Sequence, residues 1–201
     1  AGNTLQVAAL AAGLATLLGT AAAIGISTLR GRLGRLMDAF FLSPLVLPGL
    51  AFGLAALVYF TLLRLRPSLE LLVIGHFIVI TPFVLRTVGA SMSQLDPALP
   101  EASRSLGAGP WRTFRRVTLP LIAPGIAAGG FLAFMASVDN VPVSLFLSSA
   151  RTDMLPIRMW GMMESTLDVR VAAVSGLLIL AAFLLMLVME RLTGLTRRIR
   201  G

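Results

Sequence analysis

Cysteine and lysine are absent from this chain, and histidine occurs once, as His76. The lack of cysteine excludes disulfides and thiolate metal sites, and one histidine is too few for the usual protein zinc site. A P-loop needs a lysine to reach the β- and γ-phosphates, so the chain has no ATP site of that kind. The Gly-x-Ser-x-Gly and His-Glu-x-x-His patterns are also missing. We therefore expect no catalytic residues, no metal site and no cofactor bound by the chain itself.

Charged residues are scarce as well. They make up 13% of the 201 residues, whereas soluble domains carry about 25%. Hydrophobic residues reach 57%, and a water-soluble domain of this length cannot bury that much apolar surface. The composition therefore indicates a membrane protein.

The net charge of +8 comes entirely from arginine. A strongly basic chain can bind nucleic acid. Here, however, the arginines form short clusters at the ends of apolar runs, which is how membrane proteins carry positive charge. We therefore expect contact with membrane lipid and no nucleic-acid partner.

Five apolar stretches are long enough to cross a bilayer, which takes roughly 20 helical residues. They predict an all-α membrane protein with five spans in a single domain, residues 1–201. The predicted spans are residues 5–29, 39–63, 69–92, 121–147 and 171–189.

The arginines between the spans predict the orientation, because cytoplasmic segments carry the excess of positive charge. Arginine clusters in segments 30–38 and 93–120 and in the tail, so these segments should face the cytoplasm. The segment 148–168 should then be periplasmic, in a multi-pass protein whose amino terminus lies outside. A start outside the membrane also leads us to expect a sixth span before Ala1.

The cytoplasmic segment 93–120 has the sequence of a folded loop. Asp96-Pro97 is typical of a helix start, and Gly107 can end that helix in a left-handed conformation. Gly109-Pro110 starts a second predicted helix, and Leu119-Pro120 should separate it from the fourth span.

The second of these helices should be amphipathic. Trp111, Phe114 and Val117 recur at three-residue spacing, with arginines on the other face. An apolar edge facing the cytosol can bind in a groove of another protein, or it can lie on anionic lipid headgroups. The pattern alone leaves both readings open.

One motif in this loop resembles a known family. The chain has Glu101-Ala102-Ser103, three residues, Gly107, nine residues and then Val117-Thr118-Leu119-Pro120. This resembles the EAA loop of binding-protein-dependent ABC importer permeases, in which the pattern is Glu-Ala-Ala, three, Gly, nine, Ile, one, Leu-Pro. Ser103 and Val117 are the two departures.

The resemblance extends to the other spans. Residues 3–5, 44–49, 81–86 and 137–143 are similar to the spermidine/putrescine permease branch. Relatives in that branch often carry a second acidic residue where this chain has Asn140. The resemblance implies a MetI-like permease fold, in which the loop forms a coupling helix seated in an ATPase subunit. The implied coupling residues are Glu101, Ala102, Ser103, Gly107, Trp111, Phe114, Leu119 and Pro120.

The same resemblance implies partners and a location in the bacterial inner membrane. A second permease subunit would complete a heterodimer, two ATP-binding subunits would hold ATP and Mg²⁺, and a periplasmic protein would deliver the substrate. The Met- and Trp-rich segment 148–168 is a candidate docking surface for that protein. It is equally typical of a helix lying at the membrane interface.

Asp139 is the strongest candidate for the solute pathway, together with Asn140. An ionisable residue at membrane depth usually faces a cavity or a partner, and a carboxylate would favour a cationic substrate. Asp139 could instead cap a helix break near Pro142, or pair with Arg158 or Arg170. His76 is expected to be a packed or interfacial histidine.

With these features, the resemblance implies a non-catalytic subunit of an ATP-driven importer that works by alternating access. Its substrate would be a polyamine or a related cationic amino compound, with opines and amino-phosphonates as alternatives. An ion-coupled secondary transporter is the competing function. That class typically shows internal repeats and several midplane carboxylates, and this sequence shows neither.

Overall fold

A computed structural model of the chain describes residues 2–29, 31–165 and 169–193, and the regular elements in those ranges are helical. The helices are α1 (Gly2–Thr28), α2 (Gly31–Val46), α3 (Gly49–Leu62), α4 (Leu69–Ser93), α5 (Ala98–Ser105), α6 (Pro110–Thr113), α7 (Leu119–Val138), α8 (Val141–Leu147), α9 (Leu155–Ser165) and α10 (Val169–Thr193). A π-helical turn, Phe114–Thr118, connects α6 to α7.

The number of spans agrees with the all-α membrane prediction. Four helical stretches are long and apolar enough to cross a membrane, and α2 with α3 supplies a fifth if the pair counts as one bent span. The four are Gly2–Thr28, Leu69–Ser93, Pro110–Val138 and Ala172–Arg191. At about 1.5 Å per residue, each is long enough for a hydrocarbon core of roughly 30 Å.

The predicted span 39–63 is not one straight helix. α2 and α3 meet at an angle of 102°, and the turn lies at Pro48, which has an extended ψ of 126°. Pro44 remains inside α2. The chain changes direction at the second proline because the extended backbone there ends one helix before Gly49 begins the next.

The predicted span 121–147 is wrong at its carboxyl-terminal end. α7 stops at Val138, and residues 141–147 form the separate short helix α8. α8 packs against α3, where a Cβ on Gly53 would lie 2.7 Å from Phe146 Cδ2. The small residue therefore allows α8 to approach α3 closely.

The core is a three-helix arrangement of α1, α4 and α7. Ala11 and Ala15 of α1 and Ile80 and Val84 of α4 are fully buried. A Cβ on Gly129 of α7 would lie 2.9 Å from the Cα of Val84. Small residues let the helix backbones approach closely, which is the usual way to pack helices in lipid.

The start of α1 and the segment after α8 lie at the same end of this bundle. The Asn3 amide donates to the carbonyls of Arg151 (3.4 Å) and Asp153 (3.3 Å), and the Leu155 N–H donates to Thr4 Oγ1 at 2.8 Å. This is the arrangement expected if the amino terminus and segment 148–168 share one side of the membrane.

Candidate functional site

The helix α5 begins as its sequence predicts. Asp96 Oδ1 accepts a hydrogen bond of 2.9 Å from the N–H of Ala98. Pro97 has helical dihedral angles of −59° and −25°. The aspartate therefore satisfies one of the free N–H groups in the first turn, and proline fits there because it has no N–H to lose.

The same helix ends at Gly107 in a left-handed conformation, with φ of +82°. The Gly107 N–H donates to the Arg104 carbonyl at 2.9 Å, and the Ala108 N–H donates to the Ser103 carbonyl at 3.1 Å. This pair of bonds is a Schellman motif. It turns the chain so that α6 can start only a few residues later.

A side-chain contact joins α5 to α6. Ser103 Oγ lies 3.1 Å from Thr113 Oγ1, and Thr113 is buried. The rings of Trp111 and Phe114 pack with centroids 5.8 Å apart. Residues 98–113, called the loop corner below, thus form one compact unit.

The loop corner leaves several large apolar side chains uncovered. Leu106 is 89% exposed, Trp111 70% and Leu99 46%, and Glu101 and Ala102 beside them are also exposed. Exposed apolar groups of this size on one unit are typical of an interaction surface. Such a surface can bind in a protein groove or lie on lipid headgroups, the two possibilities that the sequence pattern gave.

The second loop helix is not separated from the fourth span, contrary to the sequence prediction. α6, the π turn and α7 run on as one helical stretch, Pro110–Val138. The Leu119 N–H donates to the Phe114 carbonyl, five residues back. Such a wide turn makes room for Pro120, whose ring would clash with the backbone of a regular helix.

At its other end this helix breaks at Asp139 and Asn140. The Asp139 N–H still donates to the Met135 carbonyl at 3.2 Å. Asn140 then caps α8, since its Oδ1 accepts from the Val143 N–H at 3.0 Å. The backbone of Asp139 therefore ends α7, and its side chain is exposed.

A cavity of about 850 Å³ lies beside this break. Its polar lining residues are Asp139, Asn140 and Ser175, and its apolar lining includes Phe134, Met159 and Trp160. One carboxylate and an aromatic ring on the same cavity suit an organic cation, because both attract positive charge.

Arg158 and Arg170 were the two arginines that could have formed an ion pair with Asp139. Arg158 pairs with Asp153 instead, and the Arg170 side chain lies outside the described part of the chain. Within the described ranges, no group of three or more acidic or histidine side chains could hold a metal ion.

The predicted site residues lie in three places along the chain. The loop corner holds Glu101, Ala102, Ser103, Gly107 and Trp111. The π turn and the first turn of α7 hold Phe114, Leu119 and Pro120, and the far end of that helix is followed by Asp139 and Asn140.

The contacts of His76 were not predicted from the sequence, which led us to expect only a packed or interfacial histidine. His76 is fully buried, and its ring bridges Ser137 Oγ (Nδ1, 2.8 Å) and Ser144 Oγ (Nε2, 3.2 Å). These serines lie on either side of the α7–α8 break. No local pattern connects residues 61 and 68 positions apart.

Residues 15–198 match the family described as binding-protein-dependent transport system inner membrane component. The chain belongs to this family. It is the multi-pass permease subunit of an ABC importer, as the EAA-like loop led us to expect.

The permease is similar to two curated relatives from Escherichia coli. It is 28% identical over 185 residues to the spermidine/putrescine transport system permease protein PotC, covering 92% of this chain and 70% of PotC. It is 29% identical over 185 residues to the putrescine transport system permease protein PotI, covering 89% of this chain and 66% of PotI.

The fold of the permease is also similar to that of a solved chain. That chain comes from a structure of the MetNI methionine ABC transporter in inward-facing conformations. The TM-score is 0.81 at 18% identity, over 95% of this chain and 91% of the other. At this identity the likeness concerns the fold, and it confirms the MetI-like architecture predicted from the sequence.

Proposed function

We propose that this permease moves a polyamine or a related cationic amine across the bacterial inner membrane by ATP-driven alternating access. The observation that carries the proposal is the uninterrupted helical stretch from Pro110 to Val138. Its 29 residues connect the exposed loop corner to the Asp139 cavity over about 43 Å, at 1.5 Å per residue.

A continuous helix transmits a displacement better than two helices joined by a flexible link. The loop corner is held to the foot of this helix by the contact between Ser103 and Thr113. Movement of a partner bound to Leu106 and Trp111 would therefore shift α7 as a unit. The shift would change the position of Asp139 at the far end, which is the change that alternating access requires.

The partner at the loop corner is, in this proposal, one of two ATP-binding subunits, which hold ATP and Mg²⁺. A second permease subunit completes a heterodimer, and a periplasmic protein delivers the substrate to the opposite face. The exposed Trp160 and Met163 on α9 are the proposed docking residues for that protein. The family description as an inner membrane component supports the same location for this chain.

The substrate class rests on the cavity and on the relatives. PotC and PotI are named as spermidine/putrescine and putrescine permeases. In this chain Asp139 supplies a carboxylate to the cavity wall, and Asn140 and Trp160 line the same cavity. A carboxylate with an aromatic ring attracts an ammonium group without a metal or cofactor.

Co-purification with the ATPase subunit tests the coupling assignment. Glu101→Arg and Gly107→Asp should remove the ATPase from the purified complex, because they place a reversed charge and a strained side chain on the contact surface. Glu70→Arg makes the same charge change on an exposed residue of α4, far along the chain from the loop corner, and should leave the complex intact.

Two results would contradict the proposal. One is a complex that keeps its ATPase and its transport in both loop variants. The other is uptake of radiolabelled spermidine into proteoliposomes that depends on a proton or sodium gradient and not on ATP, which would favour the ion-coupled transporter.

A further inference from the structure

We infer that His76 is a positioning residue that holds the α7–α8 break in place and thereby orients Asp139 and Asn140 on the cavity wall. This inference rests on the proposed transport function and assigns a role to a side chain outside the proposed pathway and the coupling surface. His76 belongs to α4 and is completely buried.

The two hydrogen bonds of His76 cross the break. Ser137 lies two positions before Asp139 on α7, and Ser144 lies four positions after Asn140 on α8. Both serines are fully buried. A neutral imidazole donates from one nitrogen and accepts at the other, so one side chain satisfies both hydroxyls. The ring is therefore a non-covalent link between the two helices.

The backbone hydrogen bonds at the break between α7 and α8 are short-range. The Asn140 N–H donates to the Ser137 carbonyl at 3.3 Å, and the Val141 N–H donates to the Asp139 carbonyl at 2.9 Å. Both bonds are local to one turn of chain. They leave the direction of α8 to contacts with other helices.

The neighbouring residue Gly75 shows how closely α4 supports α8. A Cβ at Gly75 would lie 2.8 Å from Val143 Cγ1 and 2.7 Å from Leu147 Cδ1. The backbone of α4 thus lies directly against α8 at the level of His76. A shift of α4 would reach the break through this packing and through the imidazole, and loss of the imidazole would remove the polar link from α4 to Ser137 and Ser144.

The absence of cysteine from the chain makes a direct test possible. Val141→Cys places the one thiol of these 201 residues on the cavity wall, beside the break, and its labelling would be read on the permease band after the subunits are separated. Its reaction rate with a charged methanethiosulfonate reagent would be measured in the assembled importer in proteoliposomes. Spermidine uptake and ATP hydrolysis would be measured in the same preparations.

His76→Leu removes both hydrogen bonds and should raise the labelling rate of this thiol by about fivefold or more, since each lost hydrogen bond contributes roughly 1 kcal/mol. Spermidine uptake should fall by a similar factor. His76→Asn can reach Ser137 with its amide and His76→Gln can reach Ser144, so each should recover part of the effect. Val88→Ala, a buried truncation elsewhere on α4, should change neither readout.

Unchanged labelling in His76→Leu would overturn the inference. Raised labelling with normal uptake would also overturn it, because the break would then not set the transport site. Should His76→Leu fail to assemble, Ser137→Ala and Ser144→Ala remove the two bonds separately and give the same test. Loss of ATP dependence in the unsubstituted importer would instead refute the proposed function, so the two failures remain distinguishable.

Discussion

The hydroxyl groups of Ser103 and Thr113 lie 3.1 Å apart, and this contact attaches α5 to the start of the long helix. The sequence pattern of the family has alanine at the position of Ser103. The hydrogen bond is therefore an addition in this chain to the coupling geometry that the motif describes. Because Thr113 is buried, its hydroxyl has little access to water if Ser103 is removed.

We predict that Ser103→Ala lowers the thermal stability of the permease slightly and preserves its ATPase partner. One net hydrogen bond contributes about 0.5–1.5 kcal/mol. Thr113→Val should have a similar cost, and the double variant should cost less than the sum, since both changes remove the same contact. Thermal unfolding in detergent measures all three, and strictly additive shifts would show that the hydroxyls do not interact.

Gly107→Ala should weaken the loop corner, whereas Gly109→Ala should not. Neither Cβ would meet another atom within 4 Å. Only Gly107 has a positive φ, of +82°, and a left-handed conformation costs a residue with a Cβ roughly 1–2 kcal/mol. Retention of the ATPase on an affinity column measures the difference. Equal retention by the two variants would mean that the left-handed turn is not needed for coupling.

Gly129→Ala should destabilise the helix core. Its Cβ would contact Thr87 Oγ1 and lie 2.9 Å from the backbone Cα of Val84, and overpacking of this kind costs about 1–3 kcal/mol. Gly89→Ala on α4 is the matched control, because no atom lies within 4 Å of its Cβ. The midpoint of thermal unfolding should fall for the first variant only.

Asp139→Asn should reduce spermidine uptake by about tenfold or more, because hydrogen bonds to charged groups contribute roughly 1.5–3 kcal/mol. Asp139→Glu keeps the charge and should retain most of the activity. Asp153→Asn removes a carboxylate that already pairs with Arg158, so uptake should change little. An Asp139→Asn importer with normal uptake would exclude this carboxylate from the pathway.

Some features of the loop could be predicted because they depend on a few adjacent residues. Asp96 begins α5 and Gly107 ends it, and both act through bonds within one turn of their own backbone. The helix break predicted at Leu119-Pro120 was wrong, although Pro120 is a residue that usually ends a helix. The π turn before Pro120 contains a wide hydrogen bond from the Leu119 N–H to the Phe114 carbonyl. This wide turn accommodates the proline ring within a continuous helix.

The helix breaks at Pro48 and at Asp139 could not be placed from the sequence. Pro44, Pro48 and Pro142 lie in these two regions, but whether a helix ends at a given proline depends on what the next segment packs against. Gly53 of α3 packs against Phe146 of α8, and these two segments are far apart in the chain. The 102° angle between α2 and α3 could not be predicted from either segment alone.

The sequence by itself determined that this is an all-α membrane protein and where the EAA-like loop begins and turns. These properties follow from transfer of side chains into lipid and from local backbone bonding. Only the tertiary structure decided that Asp139 and Trp160 share a cavity and that His76 bridges Ser137 and Ser144. Such contacts join distant residues, and they arise because buried polar groups must find partners among whichever helices pack beside them.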